Sequence, residues 1–259
     1  MKKLFLLSAA LFVVAVSHAA RPDRYEARVF DAPGGVKLNY RVLLPDGYDS
    51  GKEYPLLLFM HGAGERGDDN VSQLIHGSGV FTNPVNMEKY PAVVLFPQCP
   101  KEDFWALARR PENGFGHDAF VAGPPETPMI SAVLALVESF VANEKIDAGR
   151  VYVMGLSMGG MATFDLVCRR PDLFAAAVPI CGGVNVERLQ AATRVPMRIY
   201  HGDKDPTVPV ENSRSAYLAL KQYGAKRVEY IEFPGVDHNS WDPAFNTPDF
   251  LKWIFKQHK

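Results

Sequence analysis

Short apolar runs alternate with helical stretches through most of this chain, and this alternation constrains the fold more than any other feature. The runs do not alternate between apolar and polar residues, and Arg198 is their one charged position; they cover Pro55–Met60, Ala92–Phe96, Val151–Met154, Ala175–Ile180 and Met197–Tyr200. Such runs are typical of strands buried on both faces of a parallel sheet. Helices are predicted at Met129–Asn143, Gly160–Arg170, Val210–Tyr223 and Phe250–Gln257. The alternation therefore predicts a doubly wound α/β fold, a mostly parallel sheet with helices on both faces.

The region before the first of these runs has a different pattern. Tyr25–Phe30 and Val36–Leu44 are two strand-like segments around an Ala-Pro-Gly-Gly turn, which predicts an N-terminal antiparallel hairpin. The chain contains no internal repeat and no low-complexity linker. We therefore expect residues 20–259 to form a single domain.

The first nineteen residues have the layout of a secretory signal peptide. Two lysines follow Met1, a run that is apolar apart from Ser8 covers Leu4–Val16, and small residues occupy the positions that a signal peptidase reads at Ser17 and Ala19. Cleavage is expected after Ala19, and the mature protein is expected to be periplasmic or secreted. An apolar run of 13 residues is shorter than the ~20 that a membrane-spanning helix needs, so no membrane span is expected in the mature chain.

Composition excludes several classes of partner and cofactor. The chain has 28 Lys and Arg against 29 Asp and Glu, a net charge of -1, so no basic excess indicates nucleic-acid binding. It has three cysteines, Cys99, Cys168 and Cys181, and no C-x-x-C motif. Their number and spacing suit neither a zinc site nor a disulfide framework, and Cys168 and Cys181 are interpreted as buried thiols. No metal and no cofactor is expected.

The most specific motif is Gly155-Leu156-Ser157-Met158-Gly159-Gly160, which follows a predicted strand and precedes a predicted helix. In a G-x-S-x-G turn of this kind, glycines flank the serine because side chains there would clash, and the sharp turn exposes the hydroxyl. The motif therefore predicts that Ser157 is a nucleophile.

A serine nucleophile needs a base oriented by an acid, and in this architecture they follow in the order Ser, Asp, His. The loop after Met197–Tyr200 holds two carboxylates; Asp205 is favoured as the acid, and Asp203 is expected to brace the loop. The loop after the strand Val228–Phe233 holds His238, which is predicted to be the base. The other histidines of the mature chain lie before the serine, at a strand end or at the terminus; they are His61, His76, His117, His201 and His258.

Backbone N–H groups are expected to bind the charge that develops on a substrate carbonyl oxygen. The loop after the third strand supplies one such donor in this architecture, and the residue after the nucleophile supplies the other. These positions are Ala63 and Met158. The two residues are therefore the predicted oxyanion hole.

Five segments together resemble the α/β-hydrolase superfamily: LFMHGAGERGDDN, FPQCP, GLSMGG, HGDKDPTVPV and DHNSWDPAF. More narrowly, the chain is similar to small secreted carboxylesterases related to feruloyl and acetylxylan esterases and polyhydroxybutyrate depolymerases. The resemblance implies the α/β-hydrolase fold and a serine carboxylesterase acting on small acyl or aryl esters, with feruloyl and acetyl esters of plant polysaccharide as candidate substrates. A peptidase of the prolyl-oligopeptidase type and a non-catalytic binding protein on the same frame are the alternatives.

The segment Gln98–Thr127 is a long loop rich in Pro, Gly and aromatic residues, and loops of this length are usually functional. Trp105 in this loop and Trp241 after the predicted base are candidates to wall a substrate pocket; for each, packing under the loop is the alternative. Arg66, in the charged loop after the third strand, is expected to brace that loop through a carboxylate.

Overall fold

The computed structural model describes residues 21–106, 115–116, 119–123 and 125–259. The predicted signal peptide, residues 1–19, lies outside the described residues, as does part of the long loop between residues 98 and 127. Within the described ranges, no helix has the length and apolar character needed to cross a membrane.

The centre of the molecule is an eight-stranded sheet with the order β1-β2-β4-β3-β5-β6-β7-β8. The strands are β1 Glu26–Asp31, β2 Lys37–Leu43, β3 Tyr54–Met60, β4 Val93–Pro97, β5 Ile146–Leu156, β6 Ala176–Ile180, β7 Met197–Gly202 and β8 Val228–Phe233. β2 pairs antiparallel with β1 and with β4, whereas β4, β3, β5, β6, β7 and β8 run parallel. The predicted fold class, a mostly parallel sheet preceded by an antiparallel hairpin, is confirmed.

Seven α-helices lie in the described part of the chain. They are α1 Ser78–Thr82, α2 Pro84–Lys89, α3 Pro128–Asn143, α4 Met158–Arg169, α5 Glu211–Gln222, α6 Trp241–Phe245 and α7 Phe250–Phe255. The four predicted helices correspond to α3, α4, α5 and α7, with ends within two residues of the prediction. The short helices α1, α2 and α6, of five or six residues each, were not predicted.

The sheet is covered on both faces, and β3 shows why its sequence is apolar without alternation. Leu56 and Leu58 pack in a core with side chains of α3, α4 and α5. Leu57 and Phe59, which point to the opposite face, pack in a second core with side chains of α1, α6 and α7. Because successive side chains of a strand point to opposite faces, every position of β3 must be apolar.

Two strands are longer than their apolar runs. β5 begins at Ile146, which pairs with Tyr54, and a register shift separates that pair from the rest of the β3–β5 ladder. The polar residues in this first part concealed it from sequence analysis. β7 continues through His201 to Gly202, which places His201 inside the sheet. The carboxyl ends of β3, β5, β7 and β8 lie at one edge, and the loops that carry the predicted site residues leave from there.

Candidate active site

Ser157 lies at a sharp turn between the end of β5 and the start of α4. Its backbone has φ 54° and ψ -118°, a left-handed conformation that non-glycine residues rarely adopt. The flanking glycines are required by close backbone contacts. A Cβ at Gly159 would lie 1.9 Å from the carbonyl oxygen of Met60, and one at Gly155 would lie 2.4 Å from the carbonyl oxygen of Gly159. The motif thus reflects steric limits at the point where α4 crosses the end of β3.

Three of the predicted residues form one hydrogen-bonded line. His238, in the loop between β8 and α6, has Nε2 2.9 Å from the Ser157 hydroxyl oxygen and Nδ1 2.7 Å from Oδ2 of Asp205. A carboxylate oxygen accepts, so Nδ1 carries the hydrogen, and the lone pair of Nε2 faces the serine hydroxyl. This arrangement can remove a proton from the serine.

Asp205 is buried and receives four hydrogen bonds. Its Oδ1 accepts from the backbone N–H groups of Thr207 at 2.8 Å and Val208 at 2.9 Å, and its Oδ2 contacts His201 at 3.1 Å in addition to His238. Burial raises the pKa of this carboxyl, but the hydrogen bonds from His201, His238 and Val208 outweigh it and hold the pKa well below its usual range. Asp205 therefore stays ionised.

His201 is a second imidazole on the same carboxylate, although the sequence placed it only at a strand end, with no role at the site. It is fully buried; Nε2 lies 2.9 Å from the Val208 carbonyl oxygen, and Nδ1 lies 2.6 Å from the Ser213 hydroxyl oxygen. The signal was the spacing of four residues between His201 and Asp205 across the end of β7. Asp203, the alternative acid, instead accepts the N–H of Gly235 at 2.6 Å and braces the loop.

The two predicted oxyanion donors come from two different segments, the loop after β3 and the start of α4. Ala63 begins a 3₁₀ turn, Ala63–Glu65, directly after β3, and Met158 is the first residue of α4. The N–H groups in the first turn of a helix have no partner within the helix and can bind an anion. Both residues line the same cavity as Ser157.

The cavity beside Ser157 has a volume of about 310 Å³. Its walls come from the loop after β3, the long loop before α3, the turn at Ser157 between β5 and α4, and the loops after β7 and β8. The lining residues share a mainly apolar character; they are Gly62, Ala63, Gly64, Glu65, Arg66, Phe104, Ala106, Phe115, Leu156, Ser157, Met158, Met161, Thr207, His238 and Trp241. The long loop was predicted to be functional, but Phe104 and Phe115 were not predicted as its contributions to the wall, nor was Met161 of α4.

The two tryptophans predicted to wall a pocket have different environments. Trp241 lines the cavity, and its ring lies 5.6 Å from that of His238. The prediction for Trp105 is wrong: the side chain is fully buried, and its indole N–H donates to the carbonyl oxygen of His61 at 3.1 Å. A buried indole N–H needs an acceptor, and the His61 carbonyl oxygen supplies one where Trp105 packs in the core. Its neighbours Phe104 and Ala106 line the cavity instead.

Arg66 braces its loop as predicted but not through a carboxylate. Its guanidinium donates to the carbonyl oxygens of Ala63 at 3.0 Å and Asp103 at 3.1 Å, and its Cζ lies 4.3 Å from the centre of the Phe104 ring. Arg66 therefore connects the predicted oxyanion loop to the long loop on the other side of the cavity.

Cys181, Asp205 and His238 place donor atoms within 4.8 Å of one another, a spacing that a metal ion could bridge. Asp205 and His238 are already hydrogen-bonded to each other, and burial raises the pKa of the Cys181 thiol to about 12. Since metal binding needs the thiolate, this group is poorly suited to zinc. All three cysteines of the chain are free.

A serine at a strand–helix turn, an imidazole and a buried carboxylate at the carboxyl edge of a mostly parallel sheet define the class of α/β-hydrolases. Residues 38–217 match the family described as esterase PHB depolymerase. The chain belongs to this esterase family.

Individual relatives agree with this assignment. The chain is similar to poly(3-hydroxyalkanoate) depolymerase C of Paucimonas lemoignei, with 44% identity over 179 residues, 69% of this chain and 39% of that protein. It is also similar to a probable feruloyl esterase C of Aspergillus terreus, with 26% identity over 180 residues, 66% of this chain and 56% of that protein. The crystal structure of a thermostable esterase superposes with a TM-score of 0.82 at 35% identity, covering 92% of this chain and 64% of that one. The chain thus spans only part of the length of its relatives.

Proposed function

We propose that this chain is a serine carboxylesterase that hydrolyses small acyl or aryl esters through an acyl-enzyme. The observation that carries the proposal is the hydrogen-bonded line from Ser157 through His238 to Asp205, with distances of 2.9 and 2.7 Å. This line opens into an apolar cavity, and esterase family membership supports ester cleavage.

In the first half of the reaction, His238 Nε2 takes the proton of the Ser157 hydroxyl as its oxygen attacks the ester carbonyl. The Asp205 carboxylate holds the ring through Nδ1–H and stabilises the imidazolium that forms. The N–H groups of Ala63 and Met158 donate to the oxyanion, each contributing on the order of ~3 kcal/mol of transition-state stabilisation. The imidazolium then protonates the departing alcohol, which leaves an ester bond between the acyl group and Ser157.

In the second half, water attacks the acyl-enzyme while His238 takes one of its protons. The tetrahedral intermediate collapses, the proton returns to the serine oxygen, and the acid is released. His238 accepts a proton in both halves and returns it in each, so the same imidazole serves first as base and then as acid.

The size of the cavity supports a small substrate. A volume of about 310 Å³ is at the lower end of the range of roughly 300–1,000 Å³ for ligand pockets, which suits one acyl or aryl group. Phe104, Phe115 and Trp241 supply aromatic surface for an aryl group. We therefore propose feruloyl and acetyl esters of plant polysaccharide as candidate substrates; the resemblance to a probable feruloyl esterase supports the first.

The test replaces the nucleophile. Ser157→Ala is expected to abolish hydrolysis of p-nitrophenyl acetate and labelling by a fluorophosphonate, with an unchanged circular dichroism spectrum. Ser131→Ala, on the surface of α3, is the matched control and is expected to retain both. Full activity or labelling of Ser157→Ala would refute the proposed nucleophile.

We also propose that the protein is exported after cleavage following Ala19. The support is the order of charged, apolar and small residues in the first nineteen positions. N-terminal sequencing of protein produced in a Gram-negative host with the complete chain tests it: an N-terminus at Ala20 in the periplasm or medium is expected, whereas an intact Met1 on cytoplasmic protein contradicts it.

A further inference from the structure

Glu65 is a buried carboxylate in the wall of the cavity beside Ser157. Only 8% of the residue is exposed, and it follows the predicted oxyanion residue by two positions in the same 3₁₀ turn. Its Oε2 is buried and has no hydrogen-bond partner among the described residues. Because an unpaired buried carboxylate oxygen is costly, such a group needs an explanation.

The carboxylate lies close to the reacting serine. A Cβ built on Gly62 would be 3.0 Å from Oε2 of Glu65 and 3.6 Å from Cβ of Ser157, so both groups flank the same point. Glu65 and Ser157 also line the same cavity, so substituents of a substrate ester held at Ser157 come within reach of this side chain. Rotation about the terminal torsion of a glutamate side chain costs little energy, so Oε1 and Oε2 can exchange positions.

The protein itself supplies little to this carboxylate. Among the described residues, the basic side chain within 4 Å of this carboxylate is His76, whose Nε2 lies 3.7 Å from Oε1, beyond hydrogen-bond distance. Arg66 lines the same cavity, but its guanidinium donates to backbone carbonyl oxygens. Arg66 already supplies a positive charge to this cavity, so the carboxylate lacks a hydrogen-bond donor rather than a counter-charge, and a neutral donor such as a hydroxyl matches it.

We propose that Glu65 is a specificity-determining residue that accepts a hydrogen bond from a hydroxyl group of the substrate. This assignment rests on the proposed esterase function, because it concerns which esters the Ser157 site selects. A carboxylate accepts hydrogen bonds and donates none when ionised. A site built around such an acceptor rejects an analogue that lacks the hydroxyl, because the buried carboxylate then stays unpaired.

The test uses two pairs of nearly isosteric esters. Methyl 3-hydroxybutyrate and methyl 3-methylbutyrate differ by a hydroxyl in the acyl part; 2-hydroxyethyl butyrate and propyl butyrate differ by one in the alcohol part. The native enzyme is expected to prefer the hydroxylated ester of one pair by at least about tenfold in kcat/KM, and the preferred pair identifies the part of the substrate that meets Glu65.

Glu65→Leu is expected to bring that ratio close to one. Asp68→Asn, an exposed carboxylate of the same loop, is the control and is expected to keep the native ratio. Since Oε2 has no partner to lose, the melting temperature of Glu65→Leu is expected to equal or exceed that of the native protein. A purely structural role for Glu65 would lower it instead.

The outcomes separate the two proposals. Hydrolysis of all four esters without discrimination, or a native ratio in Glu65→Leu, overturns the assignment of Glu65 alone. No hydrolysis of any of the four esters overturns the proposed function and the Glu65 assignment together.

Discussion

Mild acid is expected to destabilise this protein through one buried imidazole, His61, at the end of β3. Burial lowers the pKa of His61 from an ordinary value of 6.5 to about 4, although the hydrogen bond to the Gly62 carbonyl oxygen opposes the shift. That carbonyl, 2.6 Å from Nδ1, can only accept, and the N–H of Cys99 donates to Nε2 at 3.0 Å. The native site therefore requires the neutral ring, because a proton on Nε2 would face the Cys99 N–H.

The magnitude follows from the difference between the folded and unfolded pKa values. The unfolded chain binds the proton more readily than the folded protein does. The contribution of the neutral His61 ring to the free energy of unfolding is therefore complete above pH 6.5 and is lost as the pH falls toward 4. At about 1.36 kcal/mol for each pH unit, the full loss is about 3 kcal/mol. About 2 kcal/mol of this is expected between pH 7.5 and pH 5, before most carboxyl groups titrate.

The assay is urea denaturation followed by tryptophan fluorescence at pH 7.5, 6.5, 5.5 and 5, on the native protein and on His61→Gln. At pH 7.5 the variant is expected to have a lower free energy of unfolding than the native protein. At pH 5 this difference should be smaller by about 2 kcal/mol, because the variant has no proton to take up at this position. Protonation of the other histidines is common to both proteins and cancels in the difference. His258→Gln, an exposed histidine, is the control and should follow the native protein.

A deficit that stays constant between pH 7.5 and pH 5 would refute the reasoning. It would mean that His61 takes up a proton as readily in the folded protein as in the unfolded chain. A control that loses the native pH dependence would also refute it, because the dependence would then arise at the exposed histidine.

Three further predictions concern Asp205 at the site, Gly159 in the turn after Ser157, and Trp105 in the core. Asp205→Asn is expected to lower kcat for p-nitrophenyl acetate by about 10⁴-fold, whereas Asp203→Asn keeps most of the activity; the reverse order would exchange their roles. Gly159→Ala is expected to destabilise the protein by at least about 3 kcal/mol in urea denaturation, because its Cβ meets a β3 carbonyl oxygen at 1.9 Å. A Cβ at Gly123 would have no neighbouring atom within 4 Å, so Gly123→Ala should change stability little. Equal losses of stability in the two glycine variants would contradict the steric argument. Trp105→Phe should lower the melting temperature by a few degrees while KM stays unchanged, and a raised KM would return this side chain to the pocket wall.

The sheet and its main helices could be predicted because their signals are local. β3 is apolar at every position, since both of its faces are buried, and that requirement is visible in seven consecutive residues. The longer helices repeat their apolar residues every three or four positions, and this spacing is also visible within one short segment. The first part of β5 escaped notice because Asp147 and Arg150 are polar, and its pairing with Tyr54 depends on a strand ninety residues earlier.

The site was accessible to sequence analysis only in part. Glycines around Ser157 mark a turn that few backbones can make, and the chain order of the loops pointed to Asp205 and His238. For the second imidazole on Asp205, the sequence offered only the four-residue spacing between His201 and Asp205. For the unpaired carboxylate of Glu65 it offered no signal, because burial of that side chain depends on segments that are distant in the chain.

By itself, the sequence determined the α/β alternation, the sharp turn at Ser157 and the chain order of the proposed nucleophile, acid and base. Each depends on sterics or burial within a few consecutive residues. Only the tertiary structure decided that Trp105 packs in the core while Trp241 faces the cavity, and that Arg66 binds backbone carbonyls. The physical reason is that a side chain's partner depends on which distant segments the sheet brings together, and residues in one loop point to opposite sides of it.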